Sequence, residues 1–201
     1  MEFKCRQTVE SFKVYFCMLK KQTLMKKIVA FGASNSFESI NKQLAHYTAQ
    51  QIPDAAVQLL DLNDYELPIY HPDQAKEKGI PQDAKNFKET LNTADGIVIS
   101  FAEYNGSYTA VFKNIFDWIS VIEKNIWHDK PMFLLATSPG GRGAIQVLEM
   151  AHLRISRANT NRVEQFSLPN FHTNFDPTKG ILEPELKAAF ETSLKAFMEV
   201  L

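Results

Sequence analysis

Short apolar runs alternate with segments in which apolar residues recur at helical spacing, and this alternation continues over most of the chain. Five of the runs have the length of β-strands, at residues 27–32, 57–62, 96–101, 131–137 and 163–167. The first, third and fourth are almost entirely apolar, which is typical of strands covered by other elements on both faces. The pattern therefore predicts a sheet between two layers of helices.

Five helices, each with one buried stripe, are predicted between and after these strands. The second helix is a more polar stretch at residues 81–91. The stripes of the other four are Ile40, Leu44, Tyr47 and Ile52; Val111, Ile115, Trp118, Ile119 and Ile122; Ile145, Leu148, His152 and Ile155; and, after Pro184, Leu186, Phe190, Leu194, Phe197 and Leu201. Strands that alternate with helices indicate a parallel sheet with right-handed crossovers. The expected α/β fold is flavodoxin-like, a five-stranded parallel sheet of order 2-1-3-4-5 with helices on both faces. Its ligand site is expected in the loops after the first, third and fourth strands.

Charge and composition narrow the classes of function. The 201 residues include 22 Lys and Arg against 23 Asp and Glu, a formal net charge of −1, so no basic field exists to hold a nucleic acid. The apolar runs are far shorter than the roughly 20 residues of a membrane-spanning helix. Both cysteines lie in the first 17 residues and the five histidines are scattered, so we expect neither a disulfide framework nor a metal site. These features predict a reducing, cytoplasmic location without a nucleic-acid or membrane partner.

The composition changes at Met25. Residues 1–24 carry a net charge of +3 and the remaining residues carry −4. The apolar stretch at residues 14–19 is too short for a secretory signal, which needs about 7 to 15 apolar residues before its cleavage site. We expect residues 1–24 to be a disordered or artefactual extension and residues 25–201 to be one domain. The alternative for the extension is a short amphipathic helix that docks on the domain.

Hydroxyl and amide side chains fill the loop after the first strand. Ser34, Ser36, Ser39 and Asn41 lie where a helix begins, and the backbone N–H groups of a helix start attract anions. The spacing matches neither a P-loop nor a GxGxxG dinucleotide motif. The loop is therefore a candidate phosphate site, without Lys or Arg of its own. The alternative is a Ser-rich turn in which Ser39 caps the helix.

The loop after the third strand combines aromatic, amide and glycine residues. Tyr104 offers a stacking surface for a planar ligand, and Gly106 allows the backbone to approach that ligand closely. The alternative is an ordinary turn in which Ser107 or Thr109 caps the following helix.

Three glycines in four positions follow the fourth strand, with Arg142 among them. Such a turn offers backbone N–H groups to the polar edge of a heterocycle, and Arg142 faces either that edge or a second, anionic ligand. The alternative is a tight turn with a solvated arginine.

From Met25 onward the chain resembles the NADPH-dependent FMN reductase family of flavodoxin-like flavoproteins, which includes quinone, azo-dye and chromate reductases. The resemblance rests on three motifs: G-x-S…S-x-N at Gly32, Ser34, Ser39 and Asn41; E-Y-N-x-S then K-N-x-x-D-W at Glu103, Tyr104, Asn105, Ser107, Lys113, Asn114, Asp117 and Trp118; and S-x-G-G-x-G at residues 138–143. It implies three sets of FMN-binding residues: Ser34, Ser36, Ser39 and Asn41 for the phosphate; Glu103, Tyr104, Asn105, Gly106 and Ser107 beside the isoalloxazine ring; and Ser138, Gly140, Gly141 and Arg142 at the pyrimidine edge.

The resemblance also implies a reaction. NADPH or NADH would pass a hydride to N5 of FMN, leave, and be replaced by a quinone, a flavin or a similar small acceptor, so that no catalytic side chain is required. We read Glu103 as structural, because a carboxylate beside a reduced, negatively charged flavin is unfavourable. The chain departs from the family pattern by lacking an Arg in the phosphate loop. It also has Ala102 where many members have Pro, and we expect the bulky Tyr108 to narrow access to the flavin.

Two other classes share this fold, namely a non-catalytic electron carrier and a flavin-bound regulatory subunit. Carriers tend to be strongly acidic, whereas the charge here is modest. A phosphoacceptor signalling domain is excluded because the first and third strands do not end in acidic residues.

The resemblance further implies a homodimer or homotetramer. We expect Trp127, which lies in a polar connection, at a subunit contact or at the rim of the flavin pocket.

Overall fold

The computed structural model describes residues 25–201, in which five parallel strands form one sheet of order β2-β1-β3-β4-β5. The strands are β1 (Lys26–Ala33), β2 (Ala55–Leu60), β3 (Gly96–Phe101), β4 (Met132–Thr137) and β5 (Val163–Leu168). A small antiparallel hairpin adds β6 (Phe175–Asp176) and β7 (Gly180–Ile181). The predicted flavodoxin-like topology is confirmed.

The helices of the described residues connect these strands and close the domain. They are α1 (Ile40–Gln50), α2 (Pro72–Lys78), α3 (Gln82–Asn92), α4 (Ala110–Ser120), α5 (Ile145–Ser156), α6 (Phe171–Asn174) and α7 (Pro184–Met198), with a 3₁₀ turn at Leu62–Asp64. The five helices predicted from apolar spacing are α1, α3, α4, α5 and α7. None of the helices within residues 25–201 has the length and apolar composition needed to cross a membrane.

The central strands bury side chains on both faces, as their continuous apolar sequence predicts. In β1, Ile28 and Ala30 pack with α1 and α7, whereas Val29 and Phe31 pack with α3, α4 and α5. All four side chains are fully buried. Burying a side chain such as Ile28 or Phe31 contributes roughly 1.5–3 kcal/mol, so the two cores hold the sheet between the helix layers.

Local polar contacts account for the elements that differ from prediction. β2 ends at Leu60 rather than at Leu62, because the Asp61 carboxylate accepts a hydrogen bond from the Asn63 N–H and starts the 3₁₀ turn. Helix α2 lacks buried residues and is held at its start by His71, whose Nδ1 accepts from the Asp73 N–H. An element without an apolar stripe leaves no periodic signal in the sequence.

The prediction for Trp127 is wrong. Its indole is 1% exposed and stacks on Phe116 with 5.8 Å between the ring centroids. The next two residues, His128 and Asp129, have positive φ angles of 52° and 53°, and this turn leaves the indole in the core while Asn125 and His128 stay exposed. Trp127 is therefore a core residue of the α3–α5 layer. The expectations for residues 1–24 lie outside the described residues.

Candidate functional site

The loops after β1, β3 and β4 meet at the carboxyl edge of the sheet and line one open cavity of about 200 Å³. Seven of the thirteen predicted site residues line it: Ser34, Ser36, Ser39, Asn41, Glu103, Tyr104 and Ser138. The other six lie in the adjoining turns rather than in the cavity lining: Asn105, Gly106, Ser107, Gly140, Gly141 and Arg142. The convergence of the three loops follows from the parallel sheet.

Buried hydroxyls stand at the start of α1. Ser34 and Ser39 are both 5% exposed. The Ser34 Oγ accepts from the Ser36 N–H at 3.1 Å, and the Ser39 Oγ accepts from the Lys42 N–H at 3.1 Å as the N-cap. Because a serine hydroxyl also donates, each keeps a proton for a ligand oxygen. Ser39 is thus both the expected helix cap and an expected donor.

The close approach of α1 to β1 depends on a glycine. A Cβ added to Gly32 would lie 2.5 Å from the Lys42 nitrogen and 2.8 Å from its Cα. These distances are too short for any side chain, so Gly32 lets the helix start directly above the strand end. The backbone N–H groups and the positive end of the helix therefore border the cavity.

Asn41 lines the cavity and is also bonded to the neighbouring strands. It is 2% exposed, and its Oδ1 accepts from the Ser100 hydroxyl at 2.7 Å and from the Thr137 N–H at 3.1 Å. Its Nδ2 donates to the Thr137 carbonyl at 3.1 Å. These bonds tie α1 to β3 and β4. Asn41 therefore positions the loop, and Ser34, Ser36 and Ser39 remain as its short side-chain donors.

Charged side chains near this loop do little to attract an anion. The exposed Glu38 carboxylate lines the cavity, and the nearby Lys42 ammonium is paired with Asp61 at 2.5 Å. Burial raises the pKa of Asp61, but hydrogen bonds from Lys42 and Asn63 outweigh that effect and hold the pKa of this carboxyl below its ordinary value. With Lys42 occupied in this way, a bound anion would be held by hydroxyls, N–H groups and the helix start.

A tight turn forms the second loop. The backbone N–H and C=O groups of Tyr104 and Ser107 bond to each other, and Asn105 and Gly106 have positive φ angles of 53° and 73°. Left-handed angles at both central positions define a type I′ turn, which Asn-Gly favours. The Tyr104 side chain is 49% exposed at the cavity. The turn thus presents an aromatic ring on a fixed backbone.

Thr109, rather than Ser107, caps the next helix. Its Oγ1 accepts from the Phe112 N–H at 3.2 Å and donates to the Ala33 carbonyl at 2.9 Å. The hydroxyl therefore joins the second loop to the end of β1.

Tyr108 does not narrow the cavity as expected. Its ring packs against Phe101 and Phe112, with centroid distances of 5.8 Å and 5.2 Å, and it is absent from the cavity lining. Burial raises the pKa of Tyr108 to about 12, although the charge of Arg154 opposes the change. The side chain is thus a neutral part of the core edge, and the entrance is left to Tyr104.

Left-handed backbone conformations shape the third loop. Gly143 has φ +58°, and a Cβ there would lie 2.9 Å from the Pro169 nitrogen, so the position requires glycine. The Gly140 carbonyl accepts from the Gly143 and Asn170 N–H groups. Within residues 25–201, the N–H groups of Gly141 and Arg142 donate to no backbone carbonyl. Both residues are exposed, so these N–H groups are free to meet a ligand edge.

Four further residues complete the cavity lining and were missed by sequence reasoning: Ile40, Ala102, Thr137 and Pro139. Each adjoins a predicted residue in the sequence, and Thr137 is the last residue of β4. Ala102, Thr137 and Pro139 lie at or just after strand ends and Ile40 begins α1, and this position was the available signal, because ligands of parallel sheets bind there whatever the side-chain chemistry.

The donor set fits a planar cofactor that carries a phosphate. Hydroxyls and a helix start lie at one end of the cavity, an aromatic ring at its mouth, and N–H groups of a glycine-rich turn beside it. With the 2-1-3-4-5 sheet, this arrangement defines a flavodoxin-like flavin site. Residues 26–173 match the sequence model of the NADPH-dependent FMN reductase family, and the chain belongs to that family.

Individual relatives agree with this placement. The chain is 35% identical to a 2-hydroxy-1,4-benzoquinone reductase of Burkholderia sp. over 130 residues, covering 64% of this chain and 68% of the relative. It is 28% identical to an NADPH azoreductase of Bacillus sp. (strain OY1-2), covering 88% and 94%. The solved FerB, an NAD(P)H:acceptor oxidoreductase of Paracoccus denitrificans, has the same fold, with a TM-score of 0.68, 22% identity and coverage of 87% and 96%.

Family membership defines the class of chemistry. The chain is an NAD(P)H-dependent oxidoreductase whose cofactor is FMN and whose acceptors are small molecules. This finding favours an enzyme over the electron carrier and the regulatory subunit.

Proposed function

We propose that the protein reduces quinones, flavins or similar small acceptors with NADPH or NADH in two alternating half-reactions. The observation that carries the proposal is the meeting of three loops at one cavity that contains the buried hydroxyls of Ser34 and Ser39. Bound FMN would supply the redox chemistry, a hydride transfer through N5 between a nicotinamide and the acceptor in a ping-pong order, and the protein would supply binding and orientation.

The residues of the chain bind and orient the reactants. Ser34, Ser36 and Ser39, together with the N–H groups at the start of α1, hold the phosphate. The turn at Tyr104–Ser107 borders the ring. The N–H groups of Gly141 and Arg142 face the pyrimidine edge and favour negative charge there.

A titration and a kinetic experiment test the proposal. The purified protein, mixed with FMN, should show the absorbance bands of a bound oxidised flavin and a quenched flavin fluorescence. Initial rates measured while NADPH and benzoquinone are varied together should give parallel double-reciprocal lines. Intersecting lines would rule out the alternating order, and an absence of FMN binding would rule out the site.

We also propose that the protein is a homodimer, and that a second copy docks on a groove beside α4 rather than at Trp127. The groove, of about 440 Å³, lies between residues 67–70 and the first two turns of α4. Ile69 is 86% exposed beside it. Asn114 and Trp118 hold this segment through bonds to the Tyr70 N–H and the Pro68 carbonyl. Ile69 and four other residues give the groove an apolar part, and Lys113, Asn114 and Asp117 form its polar part. The exposed Ile69 of each copy would enter the groove of the other, which is the reciprocal contact of an isologous dimer.

Sedimentation of the wild type and of Ile69→Glu tests the dimer. The wild type should sediment as a dimer at micromolar concentration and the variant as a monomer with an unchanged fold. A tetrameric wild type that Ile69→Glu reduces to dimers would mean that the groove forms one of two interfaces. A monomeric wild type would contradict the proposal. The cytoplasmic location and the absence of nucleic-acid and membrane partners remain predictions from the sequence.

A further inference from the structure

Glu103 connects two of the three loops. One of its carboxylate oxygens, Oε2, accepts a hydrogen bond from the Val147 N–H at 3.1 Å. Val147 is the third residue of α5, so this N–H has no partner within the helix. The bond therefore runs from the residue before the Tyr104 turn to the start of the helix that follows the glycine-rich turn.

The start of α5 depends on this bond because it lacks a cap of its own. The N-cap position is Ala144, which has φ 59° and offers no side-chain hydrogen bond. An N-cap oxygen normally satisfies the N–H of the second or third helical residue. Glu103 supplies that oxygen from the loop after β3, 44 positions away in the sequence.

The second loop is thus held at both ends. Thr109 joins its far end to the Ala33 carbonyl of β1, and Glu103 joins its near end to α5. Between these two contacts lie Tyr104 and the type I′ turn. The separation between the turn and the glycine-rich loop is therefore set by Glu103.

The charge of Glu103 faces the same cavity. Its carboxylate is half-buried, lines the cavity beside Tyr104 and lies at the positive end of α5. The carboxylate therefore lies beside the space that a planar ligand would fill. A fixed negative charge disfavours the addition of electrons to a neighbouring cofactor.

We propose that Glu103 is a positioning residue with two separable effects, an inference that rests on the proposed function. Its hydrogen bond to Val147 sets the distance between the Tyr104 turn and the glycine-rich loop, and so the FMN affinity. Its charge lowers the reduction potential of the bound flavin.

Two conservative variants separate the effect of the hydrogen bond to Val147 from the effect of the negative charge. Glu103→Gln keeps an oxygen at the same distance but removes the charge, whereas Glu103→Asp keeps the charge but is one methylene too short to reach Val147. Glu103→Gln should bind FMN within about twofold of the wild type and have a raised midpoint potential. Glu103→Asp should bind FMN about tenfold more weakly and keep the wild-type potential. Glu149→Gln, an exposed position on α5, is the control for a distant charge change and should alter neither quantity.

Amide exchange of the Val147 N–H in protein without FMN gives an independent readout. Exchange should be faster in Glu103→Asp than in the wild type, and unchanged in Glu103→Gln. If the wild type binds no FMN, the proposed function fails. The exchange pattern would still show whether Glu103 holds the Val147 N–H. Equal FMN affinity in both variants, an unmoved potential in Glu103→Gln, or unchanged Val147 exchange in Glu103→Asp would overturn the inference.

Discussion

The two edges of the sheet use polar side chains differently. At the amino edge, Lys88 is 2% exposed, and its ammonium donates to the Asn92 side chain and to the Ile126 carbonyl, both at 2.7 Å. The Glu123 carboxylate lies 3.2 Å away. Burial lowers the pKa of Lys88 below its ordinary value, although the neighbouring Glu123 opposes this change. Each of the three N–H donors of this ammonium therefore has a partner, and none is left for a ligand.

The carboxyl edge keeps polar groups that are only partly used. Ser34 and Ser39 accept hydrogen bonds but retain their own protons, and the N–H groups of Gly141 and Arg142 donate to no backbone carbonyl within the described residues. Complete hydrogen bonding contributes to stability, whereas unused capacity is available to a ligand. The comparison therefore separates residues that stabilise the domain from residues whose hydrogen-bond donors are available to the cofactor.

The largest expected effect is at the amino edge. Trp127→Ala should lower the free energy of unfolding by roughly 3–5 kcal/mol, because it removes a fully buried indole that stacks on Phe116. FMN affinity, measured where the variant is still folded, should be unchanged. Urea unfolding and fluorescence titration provide the two values. A stable variant that binds FMN poorly would place Trp127 in the site after all.

Asn41 tests the comparison because it lies at the carboxyl edge, yet three hydrogen bonds tie its side chain to β3 and β4. Asn41→Ala leaves the Ser100 hydroxyl and the Thr137 N–H without their acceptor, at a cost of about 1–3 kcal/mol each. We expect lower stability and weaker binding of both FMN and riboflavin, since the whole loop shifts. Full stability with a loss confined to FMN would instead make Asn41 a phosphate ligand.

The serine hydroxyls should show the opposite pattern. Ser34→Ala combined with Ser39→Ala should weaken FMN binding at least tenfold, because hydrogen bonds to a charged phosphate contribute about 1.5–3 kcal/mol each. Riboflavin, which lacks the phosphate, should bind the double variant and the wild type alike. Ser120→Ala, at the last residue of α4 and the amino edge of the sheet, is the matched control and should bind FMN normally. Equal losses for both flavins would show a structural effect instead.

The smallest expected effect is the pH dependence of stability at the amino edge. Hydrogen bonds from His128 and Lys88 hold the pKa of Glu123 below its ordinary 4.5, and bonds from Thr160 and Asn125 hold that of Asp129 below 3.8. The unfolded chain then binds more protons, so stability is complete above these ordinary values and falls as pH drops through the folded pKa values. Urea unfolding of the wild type between about pH 3 and 6 should show this fall. Glu123→Gln should show a shallower one, and an identical slope would contradict the assignment.

The sequence predicted what depends on local patterns. Continuous apolar runs located β1, β3 and β4, and glycines and serines after them located the three loops. Burial on both faces leaves little choice of residue in such strands, so the signal was strong.

The sequence did not reveal features that depend on contacts between distant residues. Asn41 meets Thr137, 96 positions further on, and no local pattern indicates that contact. Trp127 was misplaced because its polar neighbours suggested a surface segment, whereas the backbone turn at His128 and Asp129 determines where the indole lies. The sequence names candidate side chains, but their partners come from the packing of the sheet.

The parallel sheet also has a kinetic consequence. Every strand pair of the five-stranded sheet is parallel, so no hairpin can form this sheet locally, and β1 must meet β2 and the more distant β3, where Ile28 pairs with Gly96. Such long-range pairings slow folding. The cavity needs the ends of β1, β3 and β4 to be in place, so FMN would bind the assembled sheet and stabilise the folded domain by mass action.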